Sequence, residues 1–371
     1  MITTDLAIHK RPDTPPKIPS VPIAPSITPE QPKLLTFSDL RKHRISHHTK
    51  HPAPMPVIRI SGANYGLQGM ISALTGPPKS GKTTVIGFML ATTLTSFSSP
   101  EQTLSIKSAL ADNRDVVYLD FEQHISSTQD LHDRVLRYAG LSDCPDNLHI
   151  LSLLELTMEQ RLQAVRATFD ALDLHLLIID GLADLLPGVN DEEKSNALIE
   201  ELSLLASRHK TCLIVVIHEN KGGGSVRGHL GSQIERKCAG LIAVRKDRET
   251  KTHSIESRLI RIGDDFENVY FRYSEEQKQM ILLDALATDE YNQRVAQKKA
   301  GKDNDPEFLS GLLALCFKGV ASLTKAQLMA AICKHDQSAG SDKTALRRIK
   351  GAITLNLLVN DGDMYARQSP A

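Results

Sequence analysis

From about Val57 to Arg245 the chain repeats a short apolar run followed by a longer stretch of helical periodicity. The runs Met70–Leu74, Val116–Asp120, Leu148–Leu153, Leu174–Asp180, Cys212–His218 and Leu241–Arg245 are rich in Val, Ile and Leu without polar alternation, which predicts strands buried on both faces. Thr83–Thr95, Thr157–Ala171 and Asp191–His209 are predicted helices between them. A strand-then-helix alternation of this length predicts an α/β fold with a doubly wound, mostly parallel sheet. In such a sheet ligands gather at the carboxyl ends of the strands, so polar residues that close a strand are the candidates for chemistry.

The flanks follow other patterns. Eight prolines between Pro12 and Pro32, with few large apolar side chains, predict a disordered or extended arm, because too little surface can be buried to offset chain entropy. His43, His47, His48 and His51 follow among Arg41, Lys42, Arg44 and Lys50; a solvated basic linker is the first reading and a metal site the alternative. At the other end, past the polar stretch Asp289–Asp305, an apolar helix over Phe308–Phe317 is expected. A capping box at Thr324 and Gln327 then opens a second helix, Ser341 caps a third that carries Arg347, Arg348 and Lys350, and a D-G turn at Asp361-Gly362 closes a hairpin. Helix, helix, basic helix and wing is the order of a winged helix, whose third helix enters a major groove in DNA-binding examples and is left to protein contacts in others.

Gly76-Pro77-Pro78-Lys79-Ser80-Gly81-Lys82-Thr83-Thr84 carries the strongest signal. It fits G-x-x-x-x-G-K-[ST] between a predicted strand and a predicted helix, the context a phosphate-binding P-loop requires. The glycines let the backbone curl so that successive N–H groups point at phosphate oxygens. Lys82 meets the outer phosphates, and the Thr83 hydroxyl takes a place on Mg²⁺. The expected ligands are therefore ATP and Mg²⁺.

Other strand ends complete a catalytic set. Asp180 closes His175-Leu176-Leu177-Ile178-Ile179-Asp180 as a Walker B carboxylate for Mg²⁺, or caps the following turn. Gly181 stands next, where many ATPases carry a catalytic glutamate, so the base is sought elsewhere. Glu122, two residues past its strand, either orients the attacking water or caps the next helix. His218 ends its strand as a candidate sensor of the γ-phosphate, and Arg227 in the glycine-rich loop after it is a candidate arginine finger, with Arg258 and Arg261 as rivals.

Together the P-loop, Asp120-Phe121-Glu122-Gln123, the strand ending in Ile178-Ile179-Asp180-Gly181-Leu182-Ala183-Asp184-Leu185, His218-Glu219-Asn220 and Arg227-Gly228-His229-Leu230-Gly231-Ser232 resemble the RecA-fold ATPases of the RepA and DnaB helicase type, in particular the RepA-like ATPases of plasmids and mobile elements. The resemblance covers about residues 57–275. It implies a hexameric ring with nucleotide sites between subunits and single-stranded DNA in the channel. It also implies roles for Lys82 and Thr83 at the nucleotide and Mg²⁺, Glu122 as catalytic glutamate, Asp180 as Walker B, His218 as sensor and Arg227 as finger, with Asp184 on a second acidic position. The expected domains are an arm over 1–56, a RecA-like ATPase domain over 57–288, a linker over 289–305 and a winged helix over 306–371.

Charge adds one distinction. The chain is neutral overall, but residues 1–56 and 318–367 each hold eight Lys/Arg against four Asp/Glu, leaving 28 against 36 elsewhere. Basic ends around an acidic middle do not suit uniform coating of nucleic acid. Two functions fit: a helicase-like motor whose winged helix selects duplex DNA, or a nucleotide-switched DNA loader or regulator that unwinds nothing. The acidic Asp191-Glu192-Glu193 after the Walker B strand favours the second, and the near-complete catalytic set favours the first. Five cysteines without metal spacing, and the lack of a long apolar run or leader, make a cytoplasmic protein without a membrane span the expectation.

Lys82→Ala is predicted to abolish nucleotide binding or turnover, because it removes the point charge on the outer phosphates. Normal hydrolysis by the variant would overturn the P-loop assignment.

Overall fold

The computed structural model describes residues 35–219, 226, 228–336 and 338–368. The Pro-rich stretch over 1–34 and Arg227 lie outside them. The chain divides into two units, residues 1–52 and 53–371. Within the first, α1 (Phe37–Leu40) opens with a capping box between Thr36 and Asp39 and buries none of its side chains.

The second unit is built on a mixed sheet of nine strands among the described residues, in the order β12-β11-β10-β9-β3-β8-β7-β5-β6. A small sheet of β1 (Pro56–Ile60), β2 (Ala63–Leu67) and β4 (Ile106–Ser108) packs beside it. β3 (Ile71–Thr75) leads through the P-loop into α2 (Lys82–Leu94). β5 (Asp115–Asp120), α3 (Ile125–Ala139), β6 (Leu148–Ser152), α4 (Met158–Ala171), β7 (Leu174–Asp180), α5 (Glu192–His209), β8 (Cys212–Ile217), α6 (Gly228–Lys237) and β9 (Gly240–Lys246) continue the alternation. β6, β5, β7, β8, β3 and β9 pair in parallel. β10 (His253–Ile260), β11 (Val269–Ser274) and β12 (Gln279–Leu282) extend the sheet antiparallel beyond β9. This is the mixed α/β architecture of a RecA-like P-loop domain.

The apolar runs lack polar alternation because both faces are covered. On β5, Val116 and Tyr118 enter the core under α2 and α3, while Val117 and Leu119 enter the opposite core under α4, α5 and α6. α2 is buried nearly all round, from Thr84 to Thr93, which fits its uniformly apolar sequence. Parallel pairing sets the strand ends level. Asp120 lies opposite Asp180, Asp180 opposite Val216, and Thr75 opposite Ile217, so everything just past these residues falls along one edge.

Beyond the sheet, residues 285–304 form one helix, α7 (Ala285–Asn304), capped by Asp284; the polar stretch expected as a linker is helical, as its Ala, Gln, Lys and Glu content allows. It ends at Asp305, where the following proline disfavours helical backbone and the Asp carboxylate caps α8 (Pro306–Cys316). Then come β13 (Ser322–Thr324), a strand not expected from the sequence, α9 (Lys325–His335), α10 (Asp342–Thr354), β14 (Leu358–Asp361) and β15 (Met364–Arg367). β15 lies between β13 and β14 in an antiparallel sheet. Leu312, Leu313, Leu328, Ile332, Ile349 and Leu357 belong to a core of their own that takes no residue from the ATPase sheet. The Thr324–Gln327 capping box is present, whereas Ser341 occupies the cap position of α10 with its hydroxyl on the Thr344 hydroxyl (3.3 Å) and no side-chain bond to the helix backbone. Among the described residues no helix is long and apolar enough to cross a membrane.

One expected DNA contact is corrected here. Arg348 is only 2% exposed; its Nε donates to Asp336 at 3.1 Å, and its guanidinium lies 5.0 Å from the Phe308 ring centroid. Placed on the inner face of α10, it ties that helix to the turn after α9 and cannot reach a phosphate. Burial works against the Asp336 charge, yet hydrogen bonds from Ser338 and Arg348 hold its carboxyl below the ordinary value. Asp336→Ala removes the ion-pair partner of the buried Arg348, so a loss of about 3–5 kcal/mol is expected, read in residues 306–368. Hydrogen exchange that stays unchanged in that module would refute the assignment.

Candidate functional site

The P-loop is shaped by two glycines that cannot be replaced without strain. Gly76 (φ +147°) lies against the Val244 carbonyl of β9, where a Cβ has no room, and Gly81 (φ +104°) is the left-handed residue that opens α2. The loop therefore wraps the amino end of a buried helix, which attracts anions. Lys82 Nζ lies across the loop mouth, donating to the carbonyls of Gly76 (3.0 Å) and Pro77 (3.2 Å). Burial lowers its pKa against the raising influence of Asp180, Glu122 and Glu219. The hydroxyls of Ser80 and Thr75 are buried without a hydrogen-bond partner. The unpaired Ser80 hydroxyl, a glycine cradle and a half-buried ammonium fit a polyphosphate, and Thr83 with Asp180 would supply oxygen ligands of the kind a Mg²⁺ ion takes. A cleft of about 400 Å³ holds this loop with Thr84, Glu122, Gln123, Asp180 and His218, and adds Lys246, His253 and Met280 on the side of the antiparallel strands.

The strand ends deliver the acidic groups. Asp120, wholly buried, accepts the backbone N–H groups of Glu122 (3.1 Å) and Gln123 (2.9 Å) on one oxygen and the Thr128 hydroxyl (2.8 Å) on the other. That turn aims the Glu122 side chain at His218, whose Nε2 lies 2.9 and 3.2 Å from the two carboxylate oxygens. The hydrogen bond holds Glu122 below the ordinary carboxylate value and raises His218 above the ordinary histidine value. The helix-cap alternative for Glu122 falls away, because His124 Nδ1 accepts the Ser126 N–H and caps α3. Asp180 accepts the Tyr118 hydroxyl at 2.8 Å, and Tyr118 in turn accepts Gln123 Nε2 at 3.3 Å. Burial and the nearby Glu122 charge push the Asp180 carboxyl up to about 7.

Gly181 explains its own identity. A Cβ there would collide with Glu122 Oε1 and come within 3.1 Å of Asp184 Oδ2. The position that often bears a catalytic glutamate is empty because the Glu122 carboxylate from β5 fills the space. Asp184 is held by Arg161 at 3.3 Å, while burial and Glu122 raise its pKa.

The structure thus brings together Lys82, Thr83, Glu122, Asp180 and His218. Arg227 lies outside the described residues. Its rivals have other partners: Arg261 donates to the carbonyls of Cys238 (3.0 Å) and Arg236 (2.8 Å) at the end of α6, and Arg258 pairs with Glu256 at 3.1 Å. Of the three α10 cations expected to touch DNA, Arg347 and Lys350 are exposed. Asp120, Tyr118, Arg161 and His253 are the functional neighbours that sequence reasoning missed. Asp120 was visible in principle, as an Asp opening a turn two residues before Glu122; His253, 173 positions from the loop it touches, carried no local signal.

A P-loop at the edge of a parallel sheet, facing a Walker B aspartate and a second-strand glutamate, defines a nucleotide-hydrolysing P-loop ATPase domain. Residues 58–224 match the model of a family described as an AAA domain, a little under half of the chain. The match includes the P-loop, Glu122, Asp180 and His218 and stops before β9, so the antiparallel extension and the C-terminal module lie beyond it. A search of the curated proteins found no match.

Glu122→Gln is expected to bind nucleotide but to lose about 10²- to 10⁴-fold in turnover, since shape is kept and the base removed. Gly181→Ala should lose turnover comparably while nucleotide affinity changes little, because its methyl displaces Glu122 and leaves the P-loop alone. Single-turnover hydrolysis beside equilibrium binding measures both, and a fully active Gly181→Ala would show that Glu122 is not the base.

Proposed function

We propose that the protein is an ATP-driven motor of the RecA type that acts on DNA in the cytoplasm, working as a ring, most simply a hexamer, with single-stranded DNA in its channel. The observation that carries this reading is the Glu122–His218 pair facing Lys82 and Asp180 across the P-loop cleft. Glu122 takes the proton of the attacking water, and its low pKa keeps it ionised and ready to do so. Lys82 leaves the loop carbonyls for the phosphates, while Asp180 and Thr83 hold Mg²⁺. When bound, that ion neutralises charge on the phosphate oxygens. Loss of the γ-phosphate frees Glu122 to return to His218, so the start of the loop after β8 registers the nucleotide state.

Among the described residues lining the cleft there is no arginine, although charge must be stabilised as phosphate leaves. That supports a finger supplied by Arg227, across a subunit boundary in a ring. The C-terminal module would select duplex DNA through Arg347 and Lys350.

A second reading, a nucleotide-switched DNA loader or regulator without unwinding, draws support from α10. That helix packs against α7 as well as within its own module, and Arg348 is committed to Asp336. Strand displacement, measured beside hydrolysis with and without single-stranded DNA, separates the two readings: DNA-stimulated hydrolysis without displacement favours the loader.

The subunit arrangement has its own test. Arg227→Ala and Lys82→Ala subunits should each be inactive alone, and mixing them should restore part of the activity where an intact P-loop meets an intact finger. No rescue between freely exchanging subunits would place Arg227 in cis or outside catalysis.

A further inference from the structure

The antiparallel strands beyond β9 reach back to the P-loop. His253, the first residue of β10, pairs in register with Lys246 of β9 and Phe271 of β11. Its buried ring stacks on Phe271, with centroids 5.1 Å apart and planes 22° from parallel. Nδ1 lies 2.6 Å from the carbonyl oxygen of Ser80. Burial keeps the ring's pKa below the ordinary histidine value. A neutral imidazole has one N–H, and a carbonyl only accepts, so that proton sits on Nδ1. Gly81 completes the contact, since a Cβ there would come within 2.8 Å of Nδ1.

The consequence follows from peptide planarity. Across the trans bond from Ser80 to Gly81, the C=O and the next N–H point in opposite directions. A carbonyl fixed toward His253 turns the Gly81 N–H away from β10, toward the inside of the loop. Among the described residues this N–H has no acceptor. We propose that His253 is a positioning residue of the nucleotide site: by holding the Ser80 carbonyl it presets the Gly81 N–H as a donor to a phosphate oxygen. The proposal rests on reading the cleft as a nucleotide site, and it gives the antiparallel extension a part in phosphate recognition.

Two substitutions separate the hydrogen bond from the packing. His253→Phe keeps an aromatic ring against Phe271 and removes the donor. His253→Asn removes the ring and keeps an N–H at the same bond distance from the backbone. Dissociation constants for fluorescent ATP and ADP analogues with Mg²⁺ are measured on the full chain, beside kcat and a thermal melt. His253→Phe should weaken both nucleotides by about five- to tenfold, the size of one lost hydrogen bond, with kcat at saturation within about twofold of the parent. His253→Asn should bind like the parent. Parent-like binding by His253→Phe, or equal weakening by both variants, would overturn the proposal, and each variant decides alone if the other does not fold. Were the parent itself to bind no nucleotide, the reading of the cleft would fall and the proposal with it.

Discussion

Three carboxylates, Glu122, Asp180 and Asp184, meet at one edge of the sheet, and their mutual repulsion is the constraint the site is built around. Each is assigned its own donor: His218 for Glu122, Tyr118 for Asp180 and Arg161 for Asp184. The division is uneven. Glu122 is held ionised by its hydrogen bond, whereas Asp180, 5% exposed and facing the Glu122 charge, is pushed up to about 7. An acidic cluster of this kind, with one member buried, is stabilised by a ligand that brings a cation with it, because a divalent ion reverses the local sign of the electrostatics. The same geometry forbids a side chain at position 181 and so dictates the glycine that follows the Walker B aspartate.

What lets the groups converge is strand order. β3 lies beside β8, β8 beside β7, and β7 beside β5, although β5 follows β3 in the chain. With parallel pairing and level ends, the P-loop, Asp180, Glu122 and His218 share one rim. The antiparallel strands add a wall on the other side, and through His253 they touch the loop itself. The phosphate site is therefore braced from both directions by segments far apart in sequence.

The C-terminal module follows a different logic. It has its own apolar core, and its buried ion pair, between Arg348 and Asp336, is internal. A basic helix read from sequence supplies charges without saying which face carries them. Of the three cations read as DNA contacts, one serves the fold and the other two are exposed.

Much of this was legible along the chain. Buried strands announce themselves by unbroken Val, Ile and Leu, a P-loop by its glycines and lysine, and the capping box at Thr324 by local spacing, because each depends on residues within a turn or a strand of one another. The sequence by itself thus determined the alternating α/β architecture and the P-loop, and it singled out Asp180 and Glu122 as candidates for Mg²⁺ and for the base. Tertiary structure alone decided that Glu122 pairs with His218 rather than capping α3, that Gly181 is glycine because another strand's carboxylate occupies its side-chain space, that Arg348 faces inward, and that His253 reaches the P-loop. These facts depend on which distant strands become neighbours and which way a side chain turns, and packing settles both only once the sheet has formed.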